Sequence, residues 1–287
     1  MLTRQQRLLL LAPLALVLVP FLIWPALFGF LASFTNYAPA QAHLQLVGLA
    51  NYKTVIGDQQ FRAAFRNILV FGVVAISAEL AIGFGIAYLL REPFRGRELL
   101  RVVILLPWLV SPLASGVMWH FLFSSSTGMH NFLFASLRLP TLPSPLGTSG
   151  LALPATIATD VWRKSPLVSF LLLPGLLALP PELWEQATLE GASLVSRIRH
   201  IALPGLTPLI LTVALLLVGD TLGLFDSIVI MTGGGPGSET ITPALYSYQQ
   251  AFQINNWPVG ATSAWFIVAA VLLVGLCYLS LARQEAS

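Results

Sequence analysis

The chain has 287 residues, of which 56% are hydrophobic and 9% charged. A soluble globular domain carries about 25% charged residues, so that class is excluded. The net charge of +3 comes from basic residues that are few and spread along hydrophobic flanks, which excludes a nucleic-acid surface.

No Asp, Glu, Lys or Arg occurs from Leu8 to Tyr52, and between Asp226 and Arg283 only Glu239 does. About 20 apolar residues span a bilayer. Six such stretches follow in order, near 8–33, 67–90, 102–123, 151–179, 205–225 and 258–282, and predict an all-α, polytopic membrane protein forming one domain over 1–287. The first stretch is too long for the core of a cleaved leader and has no small-x-small site after it. With six spans both termini share a side. That side carries Arg4, Arg7, Arg91, Arg95, Arg97, Arg101, Arg197, Arg199 and Arg283, against Lys53, Arg62, Arg66 and Arg138 on the other. The excess of basic residues predicts cytoplasmic termini.

Between spans one and two, residues 34–66 form an outer loop that should end in a short amphipathic helix, with Phe61 and Phe65 at i, i+4. A second outer loop, 124–150, is rich in Ser, Pro and Gly and reads as irregular. The third, 226–257, contains Gly233-Gly234-Gly235-Pro236-Gly237, a sharp turn. No strand precedes it and no Gly-Lys-Ser or Gly-Lys-Thr follows, so it is not a phosphate loop. Neither lysine, Lys53 or Lys164, follows a glycine. His43, His120, His130 and His200 are scattered, and Cys277 sits alone in the last span, which leaves no disulfide, metal site or hydrolytic triad. The chain is expected to be non-catalytic and free of any cofactor of its own; ATP and Mg, if used, are bound by another chain.

The cytoplasmic stretch 180–205 reads PPELWEQATLEGASLVSRIRHIALPG. By itself it describes an interfacial helix with Trp184 at headgroup level. Its spacing says more. Glu185-Gln186-Ala187, three residues, Gly191, nine residues, then Ile201-Ala202-Leu203-Pro204 resembles the EAA loop of ABC-importer permeases, with Gln186 where a second alanine is usual. Val47-Gly48-Leu49-Ala50-Asn51-Tyr52, Phe94-Arg95-Gly96-Arg97 with Leu106-Pro107-Trp108, and Met231-Thr232-Gly233-Gly234-Gly235-Pro236 extend the resemblance, the last toward the maltose-type carbohydrate branch. The resemblance implies a type I ABC-importer permease fold. It implies partners too: a second homologous permease forming a heterodimer, a cytoplasmic ATPase dimer that binds ATP, and an extracytoplasmic solute-binding protein. It also implies that loop 180–204 forms two short helices docked on the ATPase, Gly191 allowing the turn and Glu185 facing the nucleotide-binding subunit.

The charges inside the spans need a reason. At 1.5 Å per residue, Lys164 lies roughly 20 Å from the cytoplasmic end of its span, Asp220 roughly 22 Å and Glu79 about 17 Å. A charge at that depth costs about 2.5–3.5 kcal/mol on insertion scales. Asp160, Lys164 and Leu167 share a helical face and Arg163 adjoins it; Asp220 and Leu224 are likewise i, i+4. Two readings fit. Either Asp160 pairs with Lys164, and Glu79 or Asp220 with Arg163, as glue between helices, or the layer is a polar substrate pocket. The resemblance favours the pocket, since maltose-type importers hold sugar mid-membrane between these two spans. It points to Asp160, Arg163, Lys164, Leu167, Asp220, Thr221 and Leu224, with Glu79 at the same level, and to a sugar or charged sugar derivative as substrate. The competing function is an ion- or proton-coupled secondary transporter using Glu79, Asp160 and Asp220.

Overall fold

In hydrocarbon, backbone N–H and C=O groups must be satisfied within the segment that carries them, so long apolar sequence becomes helix. The computed structural model describes residues 13–14, 16–37, 45–124, 128–137 and 143–285, and the apolar runs within them are helical. In chain order the helices are α1 (Trp24–Ala32), entered through a π-helical turn at Val19–Ile23, then α2 (Ala50–Gly57), α3 (Gln59–Arg91) and α4 (Arg97–Leu109). They continue with α5 (Pro112–Phe123), α6 (Met129–Ser136), α7 (Ala152–Ala178), α8 (Pro181–Leu189) and α9 (Leu194–Leu222), the last containing a π segment at Ile198–Ala202. Then come α10 (Asp226–Met231), α11 (Pro243–Tyr248) and α12 (Trp257–Glu285).

Three helices are long and apolar enough to cross a bilayer, Gln59–Arg91, Leu194–Leu222 and Trp257–Ser280. Two bent pairs raise the number to five if each pair is one span. Six straight spans are thus not what the described residues show. The expected first span begins at residue 8, outside them, and its described part is the shorter apolar helix Leu16–Ala32. The expected third span is two helices, α4 and α5, meeting at 89°. Val110 and Ser111 are extended there, the Ser111 hydroxyl accepts from the Ala114 amide, and Pro112 opens α5, so a cap starts a new helix instead of extending the old one. Span two starts earlier than expected. Phe61 and Phe65 lie on α3 itself, because Asp58 Oδ1 accepts from the amides of Gln60 (2.7 Å) and Phe61 (3.3 Å) and caps the helix there.

The chain divides into two compact units, Met1–Arg62 with Pro243–Ala269, and Ala63–Thr242 with Ala270–Ser287. In the first, the Gly48–Tyr52 element is a joint: Asn51 Nδ2 donates to the carbonyls of Ser33 and Thr35 at 2.8 Å each. The Tyr52 hydroxyl lies 2.9 Å from Ser33 Oγ. Tyr246 Oη donates to Asp58 Oδ2 at 2.8 Å, and burial, reinforced by that bond, pushes the phenol's pKa up.

In the second unit α7 is buried on almost every side. Its lower half packs in a core with Ala87 and Leu90 of α3 and Ala202, Leu206, Val213 and Leu217 of α9. Glycines let these helices touch. A β-carbon on Gly83 would stand 2.5 Å from the Val168 side chain, and one on Gly175 would stand 2.5 Å from Leu209. Near the other end of the unit, Thr240 Oγ1 donates to the Gly235 carbonyl at 2.7 Å and closes the glycine turn. Glu239 accepts from Ser149 Oγ and from the Gly150 amide (2.8 Å).

Candidate functional site

The charged residues of α7 are a single ion-pair network. Asp160 Oδ1 receives Arg163 Nη2 at 3.2 Å, and Asp160 Oδ2 lies 2.8 Å from Lys164 Nζ. Helical spacing makes both pairs local, i to i+3 and i to i+4. The third pair is not local: Lys164 Nζ is 2.6 Å from Asp220 Oδ2 of α9. Lys164 therefore bridges two helices and two carboxylates. Its side chain is 3% exposed, while that of Asp220 is 61% exposed, so the network runs from the interior of the unit out to its surface.

Beside it lies a cavity of about 140 Å³ lined by Trp108, Arg163, Lys164, Leu167, Leu171, Val213, Leu216, Leu217 and Asp220. Of the eight residues expected together, Arg163, Lys164, Leu167 and Asp220 line this cavity. Asp160 lies behind them as the internal anion. Glu79 is fully buried on α3, off the cavity wall, and neither of its oxygens makes a hydrogen bond among the described residues. Arg163 turns to Asp160, not to Glu79 or Asp220 as the pairing alternative had it. Thr221 and Leu224 go elsewhere. Thr221 lines a separate, apolar cavity of about 490 Å³ with Gly72, Val218 and Leu273. Leu224 lies beyond the helix end, since α9 stops at Leu222 with Gly223 as its cap, so the i, i+4 relation to Asp220 does not exist. Trp108 escaped notice as a wall residue because its helix comes from another part of the chain; its only signal was the Leu-Pro-Trp triplet.

The loop after α7 is built locally. Pro180 and Pro181 start α8, which leaves α7 at 78°. At its end Gly191 takes φ +69°, with its amide donating to Thr188 O (3.1 Å) and that of Ala192 to Ala187 O (2.9 Å). This is the left-handed helix ending that glycine permits and a β-carbon opposes. The Ser193 hydroxyl then accepts from the Ser196 amide (3.3 Å) and opens α9. Ile201, Leu203 and Pro204 follow on α9 itself, so the second helix of the loop is the root of a long helix and not a separate piece. Glu185 and Gln186 are exposed while Ala187 is buried. Gln186 Nε2 donates to Glu190 Oε1 at 3.2 Å. The loop is also tied to α3: the Arg91 guanidinium lies 3.7 Å from the Trp184 ring centroid and 4.7 Å from that of Tyr88, a cation–π contact nothing in the linear sequence signals.

A helical protein with long apolar helices, an ion pair joining two of them and a two-helix elbow where they turn has the features of a membrane transport subunit. Residues 79–284 match the family of binding-protein-dependent transport system inner membrane components. The chain belongs to that family and is a permease subunit, a non-catalytic membrane component of an ABC transporter. It is 31% identical over 275 residues to the trehalose/maltose transport system permease protein MalF of Thermococcus litoralis, covering 96% of this chain and 92% of that one. It is 28% identical over 282 residues to the sulfoquinovosyl glycerol transport system permease protein SmoG of Agrobacterium fabrum, covering 96% and 90%. A crystal structure of a bacterial alginate ABC transporter, bound to a periplasmic protein carrying an alginate pentasaccharide, superposes with a TM-score of 0.84 at 20% identity over 96% of this chain and 93% of that one. That likeness shows the type I permease fold. Family membership also speaks against the ion-coupled secondary transporter.

Proposed function

We propose that this chain is the membrane-embedded subunit of an ATP-driven importer for a sugar that carries charge or dense hydroxyl groups, and that the Lys164–Asp220 pair contacts the sugar. The observation that carries this reading is the 2.6 Å ion pair between a buried lysine and a largely exposed aspartate on the wall of a cavity that α7 and α9 share. A pair needed only to hold helices together has no reason to keep one partner exposed. Charge-assisted hydrogen bonds to sugar hydroxyls are roughly twice as strong as neutral ones, and both signs of charge are present. The names of relatives support a sugar: trehalose/maltose, multiple sugars, and the sulfonated sulfoquinovosyl glycerol.

In this reading six spans leave both termini in the cytoplasm, a second homologous permease forms a heterodimer with this one and completes the small cavity, and a solute-binding protein delivers substrate. Glu185, Gln186, Ala187 and Gly191, with Ile201, Leu203 and Pro204, seat the ATPase dimer. The α8–α9 elbow suits that task because motion of a docked ATPase passes straight into α9, and α9 carries Asp220.

Asp220→Asn tests the pocket. Asp160 still pairs with Lys164 in that variant, so the fold should persist. Uptake into proteoliposomes should shift its preference toward neutral sugars, with the apparent affinity for the native sugar about tenfold weaker, the worth of one charge-assisted bond. Unchanged affinity and preference would make the network structural only.

A further inference from the structure

One face of α4 changes character along its length. Arg97 and Arg101 stand one turn apart at its N-terminal end, and Ile104 and Leu105 continue the same face inward. The last three of these, with Leu90 of α3 and Ser169, Phe170, Leu173, Pro174 and Leu177 of α7, line a groove of about 240 Å³. Among the described residues Arg101 is the one charged residue on its wall, and it lies nearer the start of α4 than Ile104 and Leu105 do. The rim residues Phe170 and Leu177 are exposed. The groove is thus cationic where α4 meets the membrane surface and apolar toward the membrane interior.

The cationic end carries charge that carboxylates do not fully offset. Arg101 Nη1 reaches Glu98 at 2.8 Å, and the Nε atoms of Arg97 and Arg101 are buried without a hydrogen bond among the described residues. Arg95 and Arg97 pair with no carboxylate among the described residues. The N-terminus of α4 adds to the field: Gly96 precedes it at φ +87° and no side chain caps it. Uncapped amides at a helix start favour an anion. The Arg91–Trp184 contact places this corner on the same surface as the α8–α9 elbow.

We propose that this groove binds one anionic phospholipid, its phosphate on Arg97, Arg101 and the start of α4 and one acyl chain along Ile104, Leu105 and Phe170. A cationic end and an apolar bed in this order match the order of phosphate and chain in a lipid, and basic pockets between membrane helices are a known mode of headgroup binding. A soluble phosphate would use only the cationic end and leave the apolar bed without a role. The bound lipid would brace α4 against α7, the helix that carries the charged network.

The test uses the full chain in mild detergent, titrated with equal amounts of dioleoyl phosphatidylglycerol and dioleoyl phosphatidylcholine and read by native mass spectrometry. The readout is retained lipid, so it stands or falls apart from the sugar-import reading. Phosphatidylglycerol should be retained over phosphatidylcholine. Arg97→Gln with Arg101→Gln should lower its retention about 30-fold, from about a factor of five for each surface arginine, leaving phosphatidylcholine adducts unchanged. Arg97→Lys with Arg101→Lys should keep the preference. Added salt should weaken it in the unsubstituted chain, which keeps the test open should the glutamine variant fail to fold. Equal retention of the two lipids would overturn the proposal, and so would displacement of the lipid by glycerol phosphate at the same concentration.

Discussion

At the charged layer, α7 and α9 meet through side chains separated by more than fifty positions in sequence, and the contact that joins them is a single ammonium between two carboxylates. At the α8–α9 elbow, the contacts that make the turn lie within a few residues and most are made by backbone: the Thr188 and Ala187 carbonyls, the Gly191 and Ala192 amides, the Ser193 cap. The Arg91–Trp184 stacking, by contrast, is long-range. The first region depends on electrostatics inside a tight core, the second on local dihedral angles at an exposed surface. The two should therefore fail differently when substituted. The core region should lose stability, and the elbow should lose transmission while keeping its fold.

Lys164→Met puts this to the hardest test. It removes the cation shared by Asp160 and Asp220 and leaves Asp160 only Arg163. Breaking a buried pair costs about 3–5 kcal/mol, so the folded yield in detergent, measured by size exclusion and thermal melting, should fall sharply. A wild-type melting temperature would mean that the network contributes little to the fold.

Gly83→Ala sharpens the same side of the comparison without touching a charge. Its new methyl would meet Val168 at 2.5 Å and the Ser165 carbonyl, which is backbone and cannot swing away, at 3.0 Å. Overpacking of that kind costs about 1–3 kcal/mol, and the melting temperature should drop by less than for Lys164→Met. An unchanged melt would show that α3 and α7 can separate freely one turn from the network.

Gly191→Val probes the elbow. No atom stands within 4 Å of the added β-carbon, so the penalty is dihedral only, about 1–2 kcal/mol for a left-handed non-glycine residue. Purified protein should still fold and melt only modestly below the parent, while uptake in the assembled transporter should be lost. Full uptake would break the comparison, because the turn would then carry no motion.

The smallest effect belongs to neither region and serves as a control. Glu239 is held below the usual carboxylate range by the hydrogen bond from Ser149 and then by that from the Gly150 amide. With the folded pKa depressed, the latch is present above the ordinary glutamate range and is lost as pH falls through the folded value. Hydrogen exchange at Gly150, corrected for its intrinsic pH dependence, should quicken under acid conditions.

Much of the elbow was legible in the linear sequence, because its determinants are local. Gly191, Ala187 and Ser193 act on neighbours a turn away, and the spacing from Glu185 to Pro204 expressed that geometry directly. Apolar run lengths likewise announced α3, α7, α9 and α12, since a bilayer requires them whatever they pack against. Local pattern failed where a helix ended sooner or bent more sharply than hydropathy registers. Ser111 and Pro112 broke an apolar run into α4 and α5, and Gly223 cut Leu224 away from Asp220. Sequence also placed Asp160, Lys164 and Asp220 at one depth, because rise per residue is constant. Which acid would meet which base was a matter of helix rotation and distance, set by close approach at Gly83 and Gly175 and by the core beneath. Only the tertiary structure could decide that Arg163 turns inward to Asp160, that Thr221 faces a different cavity, and that Lys164 spans the gap to an exposed Asp220.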